Sequence, residues 1–80
     1  MRSLCKEVAK RKITVNCVSP GFIATELIGD LPEELVAAHK KSVPMKRFGE
    51  PEEVADAVLY LSSRGASYIT GSVLEVSGGL

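Results

Sequence analysis

The stretch ITVNCVSPGFIATEL, residues 13–27, decides how the rest of this 80-residue chain is read. Ile13, Val15, Cys17 and Val18 leave few polar positions, so Lys12–Val18 reads as a strand covered on both faces, the style of a parallel sheet. Pro20 has no N–H to give to a ladder and ends the strand. Gly21 lets the backbone approach a flat partner closely. Phe22 and Ile23 follow, and Thr25 then presents a hydroxyl. Ligands of open α/β sheets bind outside the carboxyl ends of parallel strands, and Ser19–Thr25 falls at such an end. There the Ile23 N–H and the Thr25 hydroxyl could satisfy an amide or a phosphate. Read alone, the same residues also suit a generic proline–glycine turn.

Outward from this corner the chain alternates. Residues 2–11 read as the end of a helix, with Leu4, Cys5, Val8 and Ala9 on one face and Lys6, Lys10 and Arg11 near the carboxyl end, where the helix dipole favours cations. No N-cap precedes Leu4, so the chain reads as if it opens in mid-helix. Asp30-Leu31-Pro32-Glu33-Glu34 is a helix start, with proline near the first position, acids in the first turn and Asp30 with Glu33 as a capping box. Leu35, Val36 and Ala38 should face inward. Val43–Gly49 is a loop. Glu50-Pro51-Glu52-Glu53 starts another helix by the same devices, with Val54, Ala55, Val58 and Leu61 as its apolar stripe, Ala57 beside it and Arg64-Gly65 as its end. Ser72–Val76 is a short strand closed by Gly78-Gly79. Strands joined through helices imply a parallel pair with a right-handed crossover. The expected fold class is α/β: the C-terminal portion of a Rossmann-type doubly wound parallel sheet, in the order helix end, strand, two helices, strand.

Composition narrows the function. Hydrophobic residues make up 45% and charged residues 25%, ordinary for a globular protein. Ten basic and ten acidic residues cancel, which argues against a nucleic-acid partner. No apolar run approaches the ~20 residues of a membrane helix. MRSLCKEVAKRK has no apolar block behind its basic residues, so it does not read as a secretory signal. Glu7 and the strand that follows argue against a mitochondrial presequence. Cys5 and Cys17 are the only cysteines and form no CxxC, so no metal site is expected. Both suit a reducing, cytoplasmic setting, as small apolar residues on a helix and a strand.

The search for catalytic groups returns little. His39 is the sole histidine and reads as a solvated residue on a charged helix, not as the base of a nucleophilic triad. Glu33-Glu34 and Glu52-Glu53 sit in first helical turns, where the dipole explains them. Tyr60 precedes Arg64 by one helical turn, but arginine does not deprotonate. Tyr60 therefore reads as a packing residue, and no catalytic residue is assigned.

Three segments in register carry a resemblance: IxVNCVSPGFIATEL, then VPMKRFGEPEEVADAVLYLSS, then SYITGSVLEVSGG. Together they resemble the C-terminal part of the short-chain dehydrogenase/reductase family, over nearly the whole chain, and most of all its 3-oxoacyl-(acyl-carrier-protein) reductases of fatty acid biosynthesis. The resemblance implies a Rossmann enzyme using NADPH or NADH to reduce an acyl thioester or other small carbonyl substrate. It implies that Pro20 and Gly21 shape the nicotinamide end of the cofactor site. The Ile23 backbone would hold the carboxamide, and Thr25 would contact the carboxamide or the diphosphate. Residues 26–42 would be a mobile substrate lid. Helix 51–63 and strand 72–76 would form a subunit contact in a homo-oligomer, a tetramer in many members. The family's glycine-rich phosphate loop, catalytic serine and Tyr-x-x-x-Lys pair would all precede Met1, so residues 1–80 would be the C-terminal segment of one reductase domain. RSLCKEVAKRK resembles the end of the helix that carries the tyrosine and lysine. Ser77 stands where many members have aspartate before Gly-Gly, expected on the surface side. A different function class, a non-catalytic interaction module acting through helix 51–63 and strand 72–76, predicts a discrete folded species of this length.

Overall fold

A computed structural model describes residues 1–80, the side chain of Leu27 excepted. Helix α1 (Arg2–Val8) runs into a 3-10 turn at Ala9–Arg11. Strand β1 (Cys17–Pro20) is followed by a single helical turn, α2 (Glu26–Gly29), then α3 (Glu33–Ser42) and α4 (Pro51–Leu61). A 3-10 turn at Arg64–Ala66 leads to β2 (Val73–Val76). The two strands pair in parallel, Cys17 with Val73 through Pro20 with Val76, and α4 packs on both. The α/β order and the parallel pairing expected from the sequence are present.

The first strand is shorter and later than its apolar pattern suggests. Residues 13–16 form no strand, because Lys12 turns the chain through a left-handed conformation (φ 60°, ψ 33°) with its N–H donating to the Ala9 carbonyl at 3.1 Å. Backbone bonds still cross on either side of Asn16: the Gly71 N–H donates to the Val15 carbonyl at 2.8 Å, and the Cys17 N–H to the Ser72 carbonyl at 2.9 Å. The Asn16 side chain adds to them. Its amide nitrogen donates to the Ile69 carbonyl at 3.1 Å, and its amide oxygen accepts the Ser72 N–H at 3.0 Å. Pro20 closes β1 from within as its last residue.

Helix starts follow their signals more closely. At α4, Glu53 reaches back one turn and accepts the Glu50 N–H at 2.9 Å, as in a capping box. Arg47 grips the same carboxylate through two nitrogens, at 2.8 and 3.1 Å. At α3 the expected Asp30–Glu33 box does not form. Pro32 occupies the N-cap without a side-chain capping bond, and the fixed ring angle alone starts the helix. Of the expected inward residues of α3, Val36 is half-buried while Leu35 and Ala38 are exposed. On α4 Glu53, Val54, Ala57 and Leu61 are half-buried, whereas Ala55 and Val58, expected in the apolar stripe, are exposed. That helix ends at Ser62, before Arg64-Gly65.

The core is small. Cys5, Val43, Phe48 and Ala66 are buried, while large apolar side chains such as Leu59 (70% exposed) and Val73 (56%) stay open. The chain exposes 6209 Å², against about 4,700 Å² for a compact monomer of its mass. Its radius of gyration is 15.7 Å, where about 12 Å is usual for the length. Too little apolar area is removed from water here to offset an ordering cost of about 1–2 kcal/mol per residue. The 80-residue chain made alone is therefore expected to self-associate or to remain loosely folded. A concentration-independent monomer in sedimentation, with one sharp thermal transition, would contradict this.

The Arg47–Glu53 pair generates a pH prediction. Glu53 is lowered to about 2, through its hydrogen bond to Arg47 first and the Glu50 N–H second. A carboxylate held below its unfolded value stabilises the fold above that value and loses its effect as pH falls toward the folded one. Glu53→Gln should therefore lower the helical content near neutrality. The gap from the unsubstituted protein should narrow below pH ~4.5 and close as pH falls below about 2, as circular dichroism can record.

Candidate functional site

The corner begins where β1 stops. The Gly21 N–H donates to the Val76 carbonyl at 3.0 Å and ties the corner to the end of β2. A second tie reaches the loop before α4. The Gly49 N–H donates to the Phe22 carbonyl at 2.9 Å, and the Ala24 N–H donates to the Gly49 carbonyl at 2.8 Å. Ile23 lies between these two bonds, paired with Gly49 as an isolated parallel bridge, and a Cβ at Gly49 would lie 3.0 Å from the Ile23 Cδ1. This pattern engages the residues on either side of Ile23. Among the described residues no protein acceptor takes the Ile23 N–H. Thr25 is exposed; its carbonyl accepts the Ile28 N–H at 3.1 Å at the start of α2. Its hydroxyl likewise has no protein partner among the described residues. Ile23 is half-buried and Thr25 exposed, so both donors stand open at a doubly anchored corner.

Pro20, Gly21, Ile23 and Thr25 thus follow one another around one turn at the carboxyl end of a parallel strand. They do not enclose a cavity. The hollow beside them, about 210 Å³, is lined by Phe22, Arg47, Glu53 and Ser77 among others, and by none of those four. Gly21 has a second reason to be glycine. A Cβ there would stand 2.9 Å from both the Cα and the Cβ of Ser77. Ser77, expected on the surface side, is half-buried against the corner.

Two other expectations change. His39 is half-buried, not solvated, and its ring lies flat on Phe22 with centroids 4.5 Å apart and 7° between planes. Phe22 also meets the buried Phe48 edge-on at 6.2 Å. Tyr60 is 52% exposed, with its hydroxyl donating to the Gly65 carbonyl at 3.3 Å. It stands open on α4 and packs little. Cys17 is exposed and Cys5 buried, both as free thiols. Among the described residues no cluster suited to a metal ion occurs, and no helix is long and apolar enough to cross a membrane.

Asn16, Gly49 and Phe48 are the supports that sequence reasoning passed over. Asn16 gave a signal: a lone amide inside an apolar run must find partners. Gly49 gave none, because its partner Ile23 lies far away along the chain.

A parallel strand pair with helices between the strands is consistent with a segment of a Rossmann-type α/β fold. Residues 1–80 match the family model described as Enoyl-(Acyl carrier protein) reductase, and the chain belongs to the short-chain dehydrogenase/reductase family. It is 52% identical over 79 residues to the 3-oxoacyl-[acyl-carrier-protein] reductase FabG of Aquifex aeolicus (strain VF5), covering 99% of this chain and 32% of that protein. It is 56% identical over 79 residues to carbonyl reductase family member 4 of Xenopus laevis, covering 99% and 31%. To nodulation protein G of Azospirillum brasilense it is 44% identical over 79 residues, covering 99% and 32%. The chain spans about a third of the length of these curated relatives.

The Gly21 contact yields a prediction. In the full-length protein Gly21→Ala should destabilise the fold by about 1–3 kcal/mol, the usual cost of overpacking, because the neighbour includes backbone and cannot rotate away. Thermal unfolding of the two variants checks it. An unchanged midpoint would mean that the ends of β1 and β2 separate freely.

Proposed function

We propose that this chain is the C-terminal segment of an NAD(P)-dependent short-chain reductase, acting in the reduction of a 3-oxoacyl thioester to the 3-hydroxyacyl thioester. Its own part is to hold the nicotinamide end of the cofactor. The observation that carries this reading is the pair of unengaged groups at the corner, the Ile23 N–H and the Thr25 hydroxyl. A primary carboxamide has one acceptor oxygen and an NH₂ donor. Ile23 supplies a donor, and the threonine hydroxyl can donate or accept, so the set fits. When bound, the cofactor supplies the hydride that reduces a carbonyl carbon.

The residues of this chain bind and orient. Ile23 and Thr25 hold the carboxamide, with Pro20 and Gly21 shaping the turn beneath it. Anchorage of the turn to Val76 and Gly49 fixes the donors before the ligand arrives, which lowers the ordering cost of binding. Residues 26–42 act as the lid over the substrate. The proton for the reduced oxygen comes from a tyrosine–lysine pair in a preceding part of the same domain. That part also covers the apolar area left open on this segment. The 3-oxoacyl thioester is the substrate favoured by the FabG relatives. The exposed Val58, Leu59 and Tyr60 on α4, with Val73 on β2, support a contact between subunits of a homo-oligomer. Partner and substrate are both small-molecule or self, consistent with the cancelled charge.

Thr25→Val keeps the shape and removes the hydroxyl. In the full-length reductase it should weaken NADPH or NADH binding several-fold to about tenfold, the equivalent of roughly 0.5–1.5 kcal/mol for one hydrogen bond. Carbonyl substrate affinity should change less. Fluorescence titration of the reduced cofactor measures the first and steady-state kinetics the second. An unchanged cofactor constant with a large loss of substrate affinity would move Thr25 from the clamp to the lid.

A further inference from the structure

The stacked rings at the foot of α3 have no role in the clamp as described. Helix α3 packs substantially on neither strand and on no other helix. Its carboxyl end is held instead by loops and rings. His39 lies flat on Phe22, and the Lys40 ammonium stands 5.6 Å from the centre of the Phe48 ring. The Lys46 ammonium donates to the Lys41 carbonyl at 2.7 Å, and Val43, just after the helix, is buried. Of these ties, the His39–Phe22 stack reaches the corner. Phe22 sits between Gly21 and Ile23, and its carbonyl accepts one of the two bonds that fix Ile23 in place.

We infer that His39 is a positioning residue for the cofactor corner: its ring, stacked on Phe22, fixes both the stance of α3 and the direction of the Ile23 N–H. The inference rests on the clamp reading above. The physical argument is geometric. A planar ring in offset contact restrains its partner's tilt, and Phe22 is edge-packed on Phe48 on its own account. Pressing on the Phe22 ring therefore presses on a residue whose backbone is already bonded to Gly49. A branched aliphatic side chain at position 39 would fill similar space without that restraint. Among the described residues the aromatic contacts of α3 lie toward its carboxyl end, at His39 and Lys40.

The test uses the full-length reductase with NADPH and NADH as probes. His39→Leu should raise the cofactor dissociation constant about two- to tenfold, the range expected for loss of one aromatic pair. His39→Phe, which keeps a flat ring, should return it to about the unsubstituted value. His39→Leu should also lower the thermal midpoint slightly, since the stack on Phe22 is lost, whereas His39→Phe should hold it. Equal weakening in Leu and Phe variants, or a lowered midpoint with cofactor binding unchanged, would reduce His39 to ordinary packing and overturn the inference. If Thr25→Val weakens cofactor binding while both His39 variants bind normally, the clamp stands and the inference fails. If the unsubstituted protein binds neither NADPH nor NADH, the clamp reading itself fails.

Discussion

The parallel ladder between Cys17–Pro20 and Val73–Val76 is the constraint on which the other features depend. Parallel strands cannot be joined by a tight turn, so the intervening chain must cross over the sheet and come back. That requirement places α4 on both strands and delivers their carboxyl ends to the same edge. The corner at Gly21–Thr25 exists because β1 ends there, and it is rigid because β2 ends beside it. Four residue pairs are few for such a role. Asn16 extends their reach by bonding across the gap before the ladder begins, to Ile69 and Ser72.

The three longer helices and the class of fold were legible in the sequence, because their signals are local, whereas the single turn α2 was not. Pro51 with Glu50 and Glu53 marks the start of α4 within a single turn, and the structure adds only Arg47. The strand boundary was not legible. Ile13 and Val15 are as apolar as a buried strand requires, but strand assignment depends on hydrogen bonds to residues more than fifty positions away. The turn at Lys12, a left-handed conformation on a non-glycine residue, has no letter that announces it. His39 misled for a related reason. Its neighbours in sequence are lysines, whereas its neighbour in space is Phe22. Of the four proposed cofactor contacts, the sequence placed all four on one turn. It could not reveal that Ile23 would be skipped by the bonds on either side of it.

The chain is also more open than its composition suggests. A hydropathy typical of globular proteins coexists with a surface roughly a third larger than compact packing gives. The open side chains run along the chain and include Val58, Leu59 and Tyr60 on α4 and Val73 and Leu74 on opposite faces of β2. Such surface is characteristic of a segment that becomes stable against other protein.

The contact between Gly21 and Ser77 limits how this corner can change over evolutionary time. Most steric conflicts in a core can be relieved by trimming the opposing side chain. Here the obstacle includes the Cα of Ser77 as well as its Cβ, both at 2.9 Å, so even glycine at 77 would leave a conflict with the main chain. A side chain at 21 thus has no second-site suppressor at 77. It could be accommodated only by moving the end of β2, and with it the carbonyl of Val76 that holds the corner. The position is closed to compensated drift, and a lineage could leave glycine there only by rebuilding the sheet edge.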